Sequence, residues 1–458
     1  MVEAISFGTD GWRATLDVFT EDRLRSVGQG VATYLADHGL TAAPVGIAYD
    51  AREHSQRFSR VLADVLVDNG IDVVRTSRDT PTPVLAWSIA NDRLAGGLMV
   101  TASHNPPEYN GVKFITAAGA PALPSVTDAI EERLEDPRTL PSRGNEAPLA
   151  PIAEYIDYTM NLVDPGDLSE LDVVYDGMHG SGRGVTDRLL RTAGANVETY
   201  RCTRDPAFGG GSPEPTPETL ETMVTQVTTS DADLGIANDG DADRIAVATP
   251  ERGYLDENLL FAAVYDYFLE EHAGPAVRTV STSSIVDRVA EAHGEETIET
   301  PVGFKWIAAA MREHDALIGG EESGGFSIRG HVREKDGVLM GLLAATMAAE
   351  EPLDDRVDRL LDEHGSIVQD KIGIYCPHGA QATILDRIGD TFPSELAGSH
   401  VSRISEVDGY KASFEEGGWI LVRPSGTEPK LRIYAEGESQ SRVDSLLEAG
   451  RDVVEPLI

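Results

Sequence analysis

Carboxylates alternate with small residues in the segment DGDADR at residues 239–244. Asp239, Asp241 and Asp243 would offer three hard oxygen ligands on one loop, a set that suits Mg²⁺ or Ca²⁺ rather than zinc. An EF-hand loop would need glycine at its sixth position and glutamate at its twelfth, where this chain has arginine and proline. The segment therefore predicts a divalent-cation site of another kind, with a solvated acidic turn as the alternative.

A serine and a histidine stand next to each other in a second polar loop, TASHNP at residues 101–106. Catalytic serine and histidine partners normally come from distant positions, and no G-x-S-x-G elbow surrounds Ser103, so acyl transfer is disfavoured. Opposite a magnesium loop, Ser103 instead fits phosphoryl transfer, because the metal offsets charge on the transferring group. A turn or helix-capping serine is the alternative for this loop taken alone.

The segment RPSGTEPK at residues 423–430 gathers an arginine, a serine and a threonine around a glycine. Such side-chain donors, together with exposed backbone N–H groups, form a nest that fits a phosphate group. An ordinary β-turn with a surface arginine is the alternative, and the clustering of donors favours anion binding.

Alternating strand and helix patterns must position these loops. Residues 44–50 are typical of a buried strand, a helical pattern follows until Asn69-Gly70, and residues 71–76 are typical of a second strand. The same alternation begins again near residue 171 and near residue 254. We therefore expect three consecutive α/β domains with mixed or mostly parallel sheets.

Polar, glycine-rich loops follow three of the predicted strands, at residues 97–100, 234–237 and 316–318. Open parallel sheets bind ligands at the carboxyl ends of their strands, so the three loops would meet if the domains face one cleft. Beyond residue 365 the order of elements becomes α+β, and an antiparallel sheet is expected. The predicted domains are residues 1–150, 151–252, 253–365 and 366–458.

Composition excludes several classes of protein. The chain has 458 residues, 77 acidic against 38 basic side chains, and a formal net charge of −39, which disfavours nucleic acid and anionic membranes as partners. Neither a signal peptide nor a membrane-spanning run is evident, so we expect a cytoplasmic protein. Two cysteines exclude a disulfide framework. Only six lysines occur, and an acidic, lysine-poor surface resembles that of halophilic proteins from salt-rich cytoplasm.

The loops together resemble those of the α-D-phosphohexomutase superfamily, the phosphoglucomutase/phosphomannomutase group. The match covers essentially the whole chain in order. It begins with FGTDGWR at residues 7–13, continues with GEESGG at residues 320–325, and ends with RPSGTEPK at residues 423–430, which is called the anion loop below. The resemblance implies a four-domain, heart-shaped enzyme with its active site in a central cleft. It further implies an intramolecular phosphotransferase that interconverts hexose 1-phosphate and hexose 6-phosphate, with hexose 1,6-bisphosphate as intermediate and activator.

The resemblance also implies a role for each motif residue. Ser103 would carry the phosphoryl group and, with Asp239, Asp241 and Asp243, would hold one Mg²⁺. The implied catalytic set is Ser103, Lys113 as candidate general acid/base, Arg13, Arg244 and His104. Sugar phosphates would be bound by Lys305, Glu321, Ser323, Arg423, Ser425, Gly426, Thr427 and Lys430.

The choice of sugar and the assembly stay open at this point. The segments around Lys305 and residues 331–337 resemble the phosphoglucomutase branch, so glucose phosphate is the first expectation and mannose phosphate follows closely. The glucosamine-phosphate branch usually has isoleucine where this chain has Trp12, so glucosamine phosphate ranks below glucose and mannose phosphates. Many members have histidine where this chain has Gly325, so a proton step assisted by that histidine is in doubt. A pentose phosphate is a further alternative. An alternative of another class is a non-catalytic sugar-phosphate-binding protein. A homo-oligomer is also open.

Overall fold

The computed structural model describes residues 5–425 and 429–458, which form four β-sheets with flanking helices. Gly426 and Thr427, both predicted to bind phosphate, lie outside the described residues. Within the described ranges, every helix is too short or too polar to cross a bilayer.

The first sheet has six strands and carries the Ser103 loop. Its strands are β1 Trp12–Thr15, β2 Val45–Tyr49, β3 Val73–Thr76, β4 Gly96–Val100, β5 Tyr109–Thr116 and β6 Glu146–Leu149. Its helices are α1 Glu21–Asp37, α2 Ser55–Asp68, α3 Thr82–Asn91 and α4 Pro124–Glu131. The strand order is β1-β5-β4-β2-β3-β6, and β2 is parallel to both of its neighbours because α2 and α3 connect these strands. β5 is antiparallel to β4 and β1.

The second sheet has five strands in the order β11-β10-β9-β7-β8 and carries the aspartate loop. Its elements are α5 Ile152–Val163, β7 Asp172–Asp176, α6 Thr186–Thr192, β8 Asn196–Tyr200, α7 Glu221–Thr229, β9 Leu234–Asn238, β10 Ile245–Thr249 and β11 Gly253–Leu255. β7 is parallel to β8 and β9, whereas β9, β10 and β11 form an antiparallel series. The aspartate loop is thus the tight connection between β9 and β10.

The third sheet has four strands in the order β13-β12-β14-β15. Its elements are α8 Glu257–Leu269, β12 Ala276–Thr279, α9 Ile285–Ala292, β13 Thr297–Thr300, α10 Phe304–His314, β14 Ile318–Gly320, β15 Phe326–Ile328, α11 Gly337–Glu350 and α12 Leu353–His364. β12 is parallel to β13 and β14, and β15 returns antiparallel to β14.

The fourth sheet is antiparallel throughout, in the order β16-β21-β20-β19-β18-β17. Its elements are β16 Val368–Tyr375, α13 His378–Thr391, β17 Glu395–Leu396, β18 Ser399–Ser405, β19 Tyr410–Phe414, β20 Trp419–Pro424, β21 Lys430–Gly437 and α14 Gln440–Val454. The predicted architecture of three mixed α/β domains and a C-terminal α+β domain is confirmed. The exact domain boundaries stay a prediction.

Several local predictions need correction. The strand predicted at residues 316–318 forms at Ile318–Gly320, where both glycines pack their backbone against large side chains of the core. The end of the first predicted domain, for which the sequence patterns predicted no element, contains β6, which pairs with β3. Lys113, the candidate general acid/base, lies on β5, an eight-residue strand that the sequence patterns did not predict.

Candidate active site

Ser103 lies three residues after β4, in a loop that buries it almost completely. Its backbone has a φ of 51°, in the left-handed region that non-glycine residues rarely adopt. Such a conformation costs on the order of 1–3 kcal/mol and persists only where the surroundings hold it. The hydroxyl donates a 2.8 Å hydrogen bond to Asp239 Oδ2, and the backbone N–H donates to Thr101 Oγ1 at 2.8 Å. The Ser103 hydroxyl therefore points at the aspartate loop.

The three aspartates of this loop are fully buried, and one carboxylate oxygen of each lies within 4.8 Å of the other two. Oδ1 of Asp241 and Oδ1 of Asp243 have no hydrogen-bond partner in the described part of the chain. Burial and the negative charges of Asp241 and Asp243 raise the pKa of Asp239 well above its ordinary value. Clustered, unpartnered carboxylate oxygens are costly to bury and suit a divalent cation, so these residues could hold a metal ion.

Two buried ammonium groups face the same aspartates. Lys113 Nζ lies 2.9 Å from Asp241 Oδ2 and 2.8 Å from Asp243 Oδ2, and Lys335 Nζ lies 3.1 Å from Asp243 Oδ2. Asp10 Oδ2 bridges Lys113 at 2.9 Å and Lys335 at 3.3 Å. Burial lowers the pKa of Lys113, but the charges of Asp10, Asp241 and Asp243 outweigh burial and raise that pKa well above its ordinary value. The site is a compact cluster of alternating charges.

Asp10 and Lys335 are the members of this cluster that the sequence prediction missed. The available signal was their place in segments that resemble the superfamily, FGTDGWR and HVREKDG. Lys335 also accounts for Gly325, because a Cβ added at that glycine would lie 2.5 Å from Lys335 Cδ. The lysine side chain passes over the glycine, so a larger side chain at position 325 would displace it.

Two arginines, to which the resemblance assigns catalytic roles, flank the cluster. Arg13 donates to Asn105 Oδ1 at 3.1 Å and to Asp10 Oδ2 at 2.9 Å. The backbone N–H of Arg244 donates to Asp239 Oδ1 at 3.2 Å, while its Nε is buried without a hydrogen-bond partner among the described residues. Burial lowers the pKa of Arg244, but Asp239 and other acids outweigh that effect and raise it. The Arg244 guanidinium thus stays positive beside the aspartate loop, and the Arg13 guanidinium lies beside the serine loop.

His104 lies next to the serine but does not form a hydrolase triad. Its Nδ1 is 3.3 Å from Ser103 Oγ, and no carboxylate in residues 5–425 or 429–458 accepts a hydrogen bond from its ring. Burial lowers the pKa of His104 well below its ordinary value, and the charges of Arg244 and Arg13 lower it further. Without a carboxylate that orients it, this imidazole does not form the base that a serine-histidine-aspartate triad needs.

The GEESGG loop begins at the end of β14 and approaches the cluster from the third sheet. Glu321 is buried, and its Oε1 accepts a 3.1 Å hydrogen bond from the backbone N–H of Gly303. Burial raises the pKa of Glu321, with Lys335 opposing the shift. Ser323 is partly buried in the same loop, and Lys305 Nζ donates to Gly8 O at 3.1 Å. The third sheet and the first sheet are thus in direct contact beside the cluster.

The anion loop follows β20 in the fourth sheet. Arg423 Nη2 lies 3.0 Å from Asp408 Oδ2, and the same oxygen accepts the backbone N–H of Val302 at 3.1 Å. The Ser425 backbone N–H donates to Lys430 O at 2.9 Å, and the buried Ser425 Oγ has no hydrogen-bond partner in the described ranges. An unpartnered buried hydroxyl is available to a ligand.

The structure thus brings Ser103, the three aspartates and Lys113 into one cluster, with Arg13, Arg244 and His104 beside it. Within the described residues, no hydrogen bond or ion pair joins Arg423 or Ser425 directly to that cluster. The connection runs instead through Asp408 to residues 302–303 and from there to Glu321.

Models of four phosphoglucomutase/phosphomannomutase domains match the chain in order. The alpha/beta/alpha domains I, II and III match residues 4–140, 153–253 and 256–364, and the C-terminal domain matches residues 382–453. These four matches cover the serine, aspartate, GEESGG and anion loops.

Two relatives and one solved structure match along their whole length. A phosphopentomutase of Thermococcus kodakarensis is 31% identical over 99% of this chain and 98% of its own. A protein of Methanothermobacter thermautotrophicus with the name "Probable phosphoglucosamine mutase" is 32% identical over 99% of this chain and 98% of its own. A Thermus thermophilus structure assigned as a phosphomannomutase has a TM-score of 0.87 and 32% identity, covering 99% and 100% of the two chains.

Proposed function

Because the chain belongs to the phosphoglucomutase/phosphomannomutase family of the α-D-phosphohexomutase superfamily, we propose that it interconverts hexose 1-phosphate and hexose 6-phosphate. One observation carries the proposal: the Ser103 hydroxyl is 2.8 Å from Asp239 Oδ2 in a buried cluster of carboxylates and ammonium groups. Glucose phosphate is the proposed substrate and mannose phosphate the next choice.

In the proposed reaction, phosphoserine 103 gives its phosphoryl group to a hydroxyl of the bound hexose phosphate. The Oγ–P bond breaks as the new O–P bond forms, the attacking hydroxyl gives its proton to a neighbouring base, and the released Ser103 Oγ takes up a proton to restore the serine hydroxyl. Lys113 is the candidate general acid/base, and Lys335 is a second candidate because its Nζ lies in the same cluster. A bound Mg²⁺ at Asp239, Asp241 and Asp243 would supply positive charge that offsets the charge of the transferring group.

The product of that step is a hexose 1,6-bisphosphate, which would turn in the cleft and return its other phosphate to Ser103. The same bisphosphate would act as the activator that loads unmodified serine. Glu321 and Ser323 are the proposed ligands of the sugar hydroxyls. Arg423 and Ser425, with Gly426, Thr427 and Lys430, are the proposed site for the phosphate that is not transferred.

Intact-mass measurement and coupled assays test the phosphoserine. We expect the purified protein with Mg²⁺ and glucose 1,6-bisphosphate to gain one phosphate and to convert glucose 1-phosphate to glucose 6-phosphate. Ser103→Ala should abolish both, whereas Ser88→Ala should not, because buried Ser88 only bonds Val84 O of its own helix. A Ser103→Ala variant with near-full turnover would exclude this mechanism. If the protein bound sugar phosphate but Ser103 were never phosphorylated, the result would support the alternative of a non-catalytic sugar-phosphate-binding protein.

Phosphoglucosamine and phosphopentose are the second candidate substrates, because relatives about 31–32% identical along the whole chain carry those names. A panel of glucose, mannose, glucosamine and ribose 1-phosphates decides between them. We expect the highest kcat/KM with glucose 1-phosphate. A higher value for glucosamine or ribose 1-phosphate would replace the glucose proposal without changing the phosphoserine chemistry.

The net charge of −39 supports a separate proposal, that the protein works in a salt-rich cytoplasm. Salt screens repulsion among surface carboxylates, so its removal should destabilise the fold. We expect the melting temperature and the activity to fall on dialysis from molar salt to about 0.1 M, a range over which the Debye length grows from about 3 to about 10 Å. Insensitivity to salt would contradict the proposal.

A further inference from the structure

A fully buried arginine, Arg52, lies beneath the Ser103 loop and binds its backbone. Its Nη2 donates to the carbonyl oxygens of Ser103 at 2.6 Å and Asn105 at 2.5 Å. Its Nη1 donates to the carbonyl oxygens of Pro106 at 2.7 Å and Tyr109 at 3.2 Å. One guanidinium therefore binds three carbonyls of the loop that carries the reactive hydroxyl and a fourth at the first residue of β5.

The arginine is itself fixed by Asp50 at the end of β2. Arg52 Nε donates to Asp50 Oδ2 at 3.0 Å, and the same oxygen accepts the Thr101 hydroxyl at 2.7 Å. Thr101 Oγ1 in turn accepts the backbone N–H of Ser103 at 2.8 Å. The N–H and the C=O of Ser103 are thus both held by one buried network, which begins at a strand of the first sheet.

This network accounts for the conformation of Ser103. A non-glycine residue with a φ of 51° needs its surroundings to hold it, and here both of its backbone polar groups are held. A buried ion pair alone is weak evidence for stability, since apolar replacements are often as stable. The planar five-donor fork of arginine, which a lysine ammonium cannot reproduce, is what four carbonyls and a carboxylate require.

We propose that Arg52 is a positioning residue for phosphoryl transfer, which fixes the left-handed backbone of Ser103 so that its hydroxyl faces Asp239. The proposal rests on the proposed role of Ser103 as the phosphoryl carrier. Arg52 does not touch substrate in this role, because its donors are all occupied by the loop and by Asp50. Its removal should therefore slow phosphoryl transfer more than it weakens substrate binding.

The test compares Arg52→Lys with Arg356→Lys. Arg356 is similarly buried and pairs with Glu270 and Glu351, away from the Ser103 loop. We expect Arg52→Lys to lower kcat by about a hundredfold, the loss expected from a misplacement of about 1 Å, with KM for glucose 1-phosphate changed less than about threefold. The rate of Ser103 phosphorylation by glucose 1,6-bisphosphate should fall in parallel. Arg356→Lys should have a lower melting temperature than the wild type, while its folded fraction keeps the wild-type kcat.

A second variant covers the case in which Arg52→Lys fails to fold. Thr101→Val keeps the side-chain volume but removes the acceptor for the Ser103 N–H, and we expect it to lower kcat about tenfold at an unchanged KM. A wild-type kcat per folded molecule in either variant would overturn the positioning role and leave phosphoserine chemistry intact. A wild-type protein that is never phosphorylated at Ser103 would instead overturn the proposed function, and the role of Arg52 with it.

Discussion

One apolar core joins the second and third sheets, whereas the first and fourth sheets each have a core of their own. Trp87 of α3, Tyr155 of α5, Phe261 of α8 and Phe326 of β15 belong to a single buried cluster. The fourth sheet packs its buried side chains against α13 and α14 in a separate cluster. The elements that carry the aspartate and GEESGG loops are therefore continuous in packing, and the first sheet, which carries the serine loop, joins that core through α3. The anion loop belongs to a different packing unit.

The contact between the third and fourth sheets is small and largely polar. Its apolar part consists of Val280, Trp419, Leu421 and Tyr434. Its polar part includes the Ser284 N–H donating to Glu436 at 3.2 Å and the Gln369 amide donating to Ser281 O at 2.7 Å. Water can replace such bonds at a modest net cost, whereas separation of a shared apolar core exposes large areas. The buried charge cluster is thus held by the core of the second and third sheets and by buried hydrogen bonds from the first sheet, whereas the anion loop is attached through a smaller, largely polar contact.

Lys113→Met, in the buried charge cluster, gives the largest expected effect. Loss of the ammonium group leaves Asp241 and Asp243 without one of their cations and removes the candidate acid/base. We expect kcat to fall by about 10²–10⁴, with KM for glucose 1-phosphate nearly unchanged. Lys371→Met, on β16, is the control and should behave as wild type. If a raised KM were the main defect, the charge cluster would also bind substrate, and phosphoryl transfer and substrate binding would not belong to separate regions.

Lys411 makes the contact between the third and fourth sheets sensitive to pH. Burial and the Arg278 guanidinium lower the pKa of Lys411 to about 8, against Glu299, whose oxygen lies 3.2 Å from Nζ. A lysine with a folded pKa below its unfolded value binds fewer protons when folded, so the free energy of unfolding should rise between about pH 8 and the ordinary lysine pKa of 10.5. The gain is about 3 kcal/mol.

Unfolding by denaturant, followed over that pH range, measures the Lys411 effect. Asp287 pairs with Arg278 nearby, and the ammonium group of Lys411 lies 4.3 Å from the centroid of the Trp419 ring. Lys411→Met should flatten the rise. The same slope in wild type and variant would show that another group causes it.

Arg423→Ala tests the binding side. The guanidinium is expected to bind the phosphate that is not transferred, and a charge-assisted hydrogen bond is worth about 1.5–3 kcal/mol. We expect KM for glucose 1-phosphate to rise about 10- to 100-fold while Ser103 is phosphorylated to the wild-type level. Arg442→Ala, on α14 of the same sheet, should leave KM unchanged. Loss of phosphoserine in Arg423→Ala would show that the anion loop is also needed for phosphoryl transfer.

Thr82→Val has the smallest expected effect. It tests whether a hydrogen bond from the first sheet's helix α3 helps to position the aspartate loop of the second sheet. Thr82 Oγ1 donates to Asp241 Oδ2 at 2.6 Å, and its N–H donates to Asp241 O at 2.9 Å. Groups that orient a metal ligand typically contribute at least tenfold in affinity, so we expect about tenfold weaker Mg²⁺ binding by calorimetry. Thr346→Val, whose hydroxyl bonds its own helix, is the control. Equal Mg²⁺ affinities would show that Asp241 needs no partner from the first sheet.

Contiguous motifs could be recognised from the sequence, and contacts between distant segments could not. The aspartate loop needs only a strand before it and alternate carboxylates, which local sequence shows directly. Asp10 and Lys335 lie 325 positions apart and meet only through packing of the first and third sheets. Asp408 likewise contacts Val302 from another sheet. No periodicity in the sequence records such contacts.

The strand β5 shows a second limit of sequence reasoning. Its sequence YNGVKFIT has Asn-Gly near its start, a pair that favours turns, and its polar lysine lies at a buried position. Local propensity therefore contradicts the tertiary environment at Lys113, the position where the strand contributes to the site. The lysine is tolerated there because three carboxylates neutralise it.

The span of the buried charge cluster, from Asp10 to Lys335, has a consequence for synthesis on the ribosome. Domains generally fold as units from the N-terminus during translation. A nascent chain that has released Asp239, Asp241 and Asp243 already has Lys113 but still lacks Lys335, so the ion pair between Asp243 and Lys335 forms only after that lysine emerges. The first two sheets can form early, but the cluster closes only after nearly three-quarters of the chain has been made.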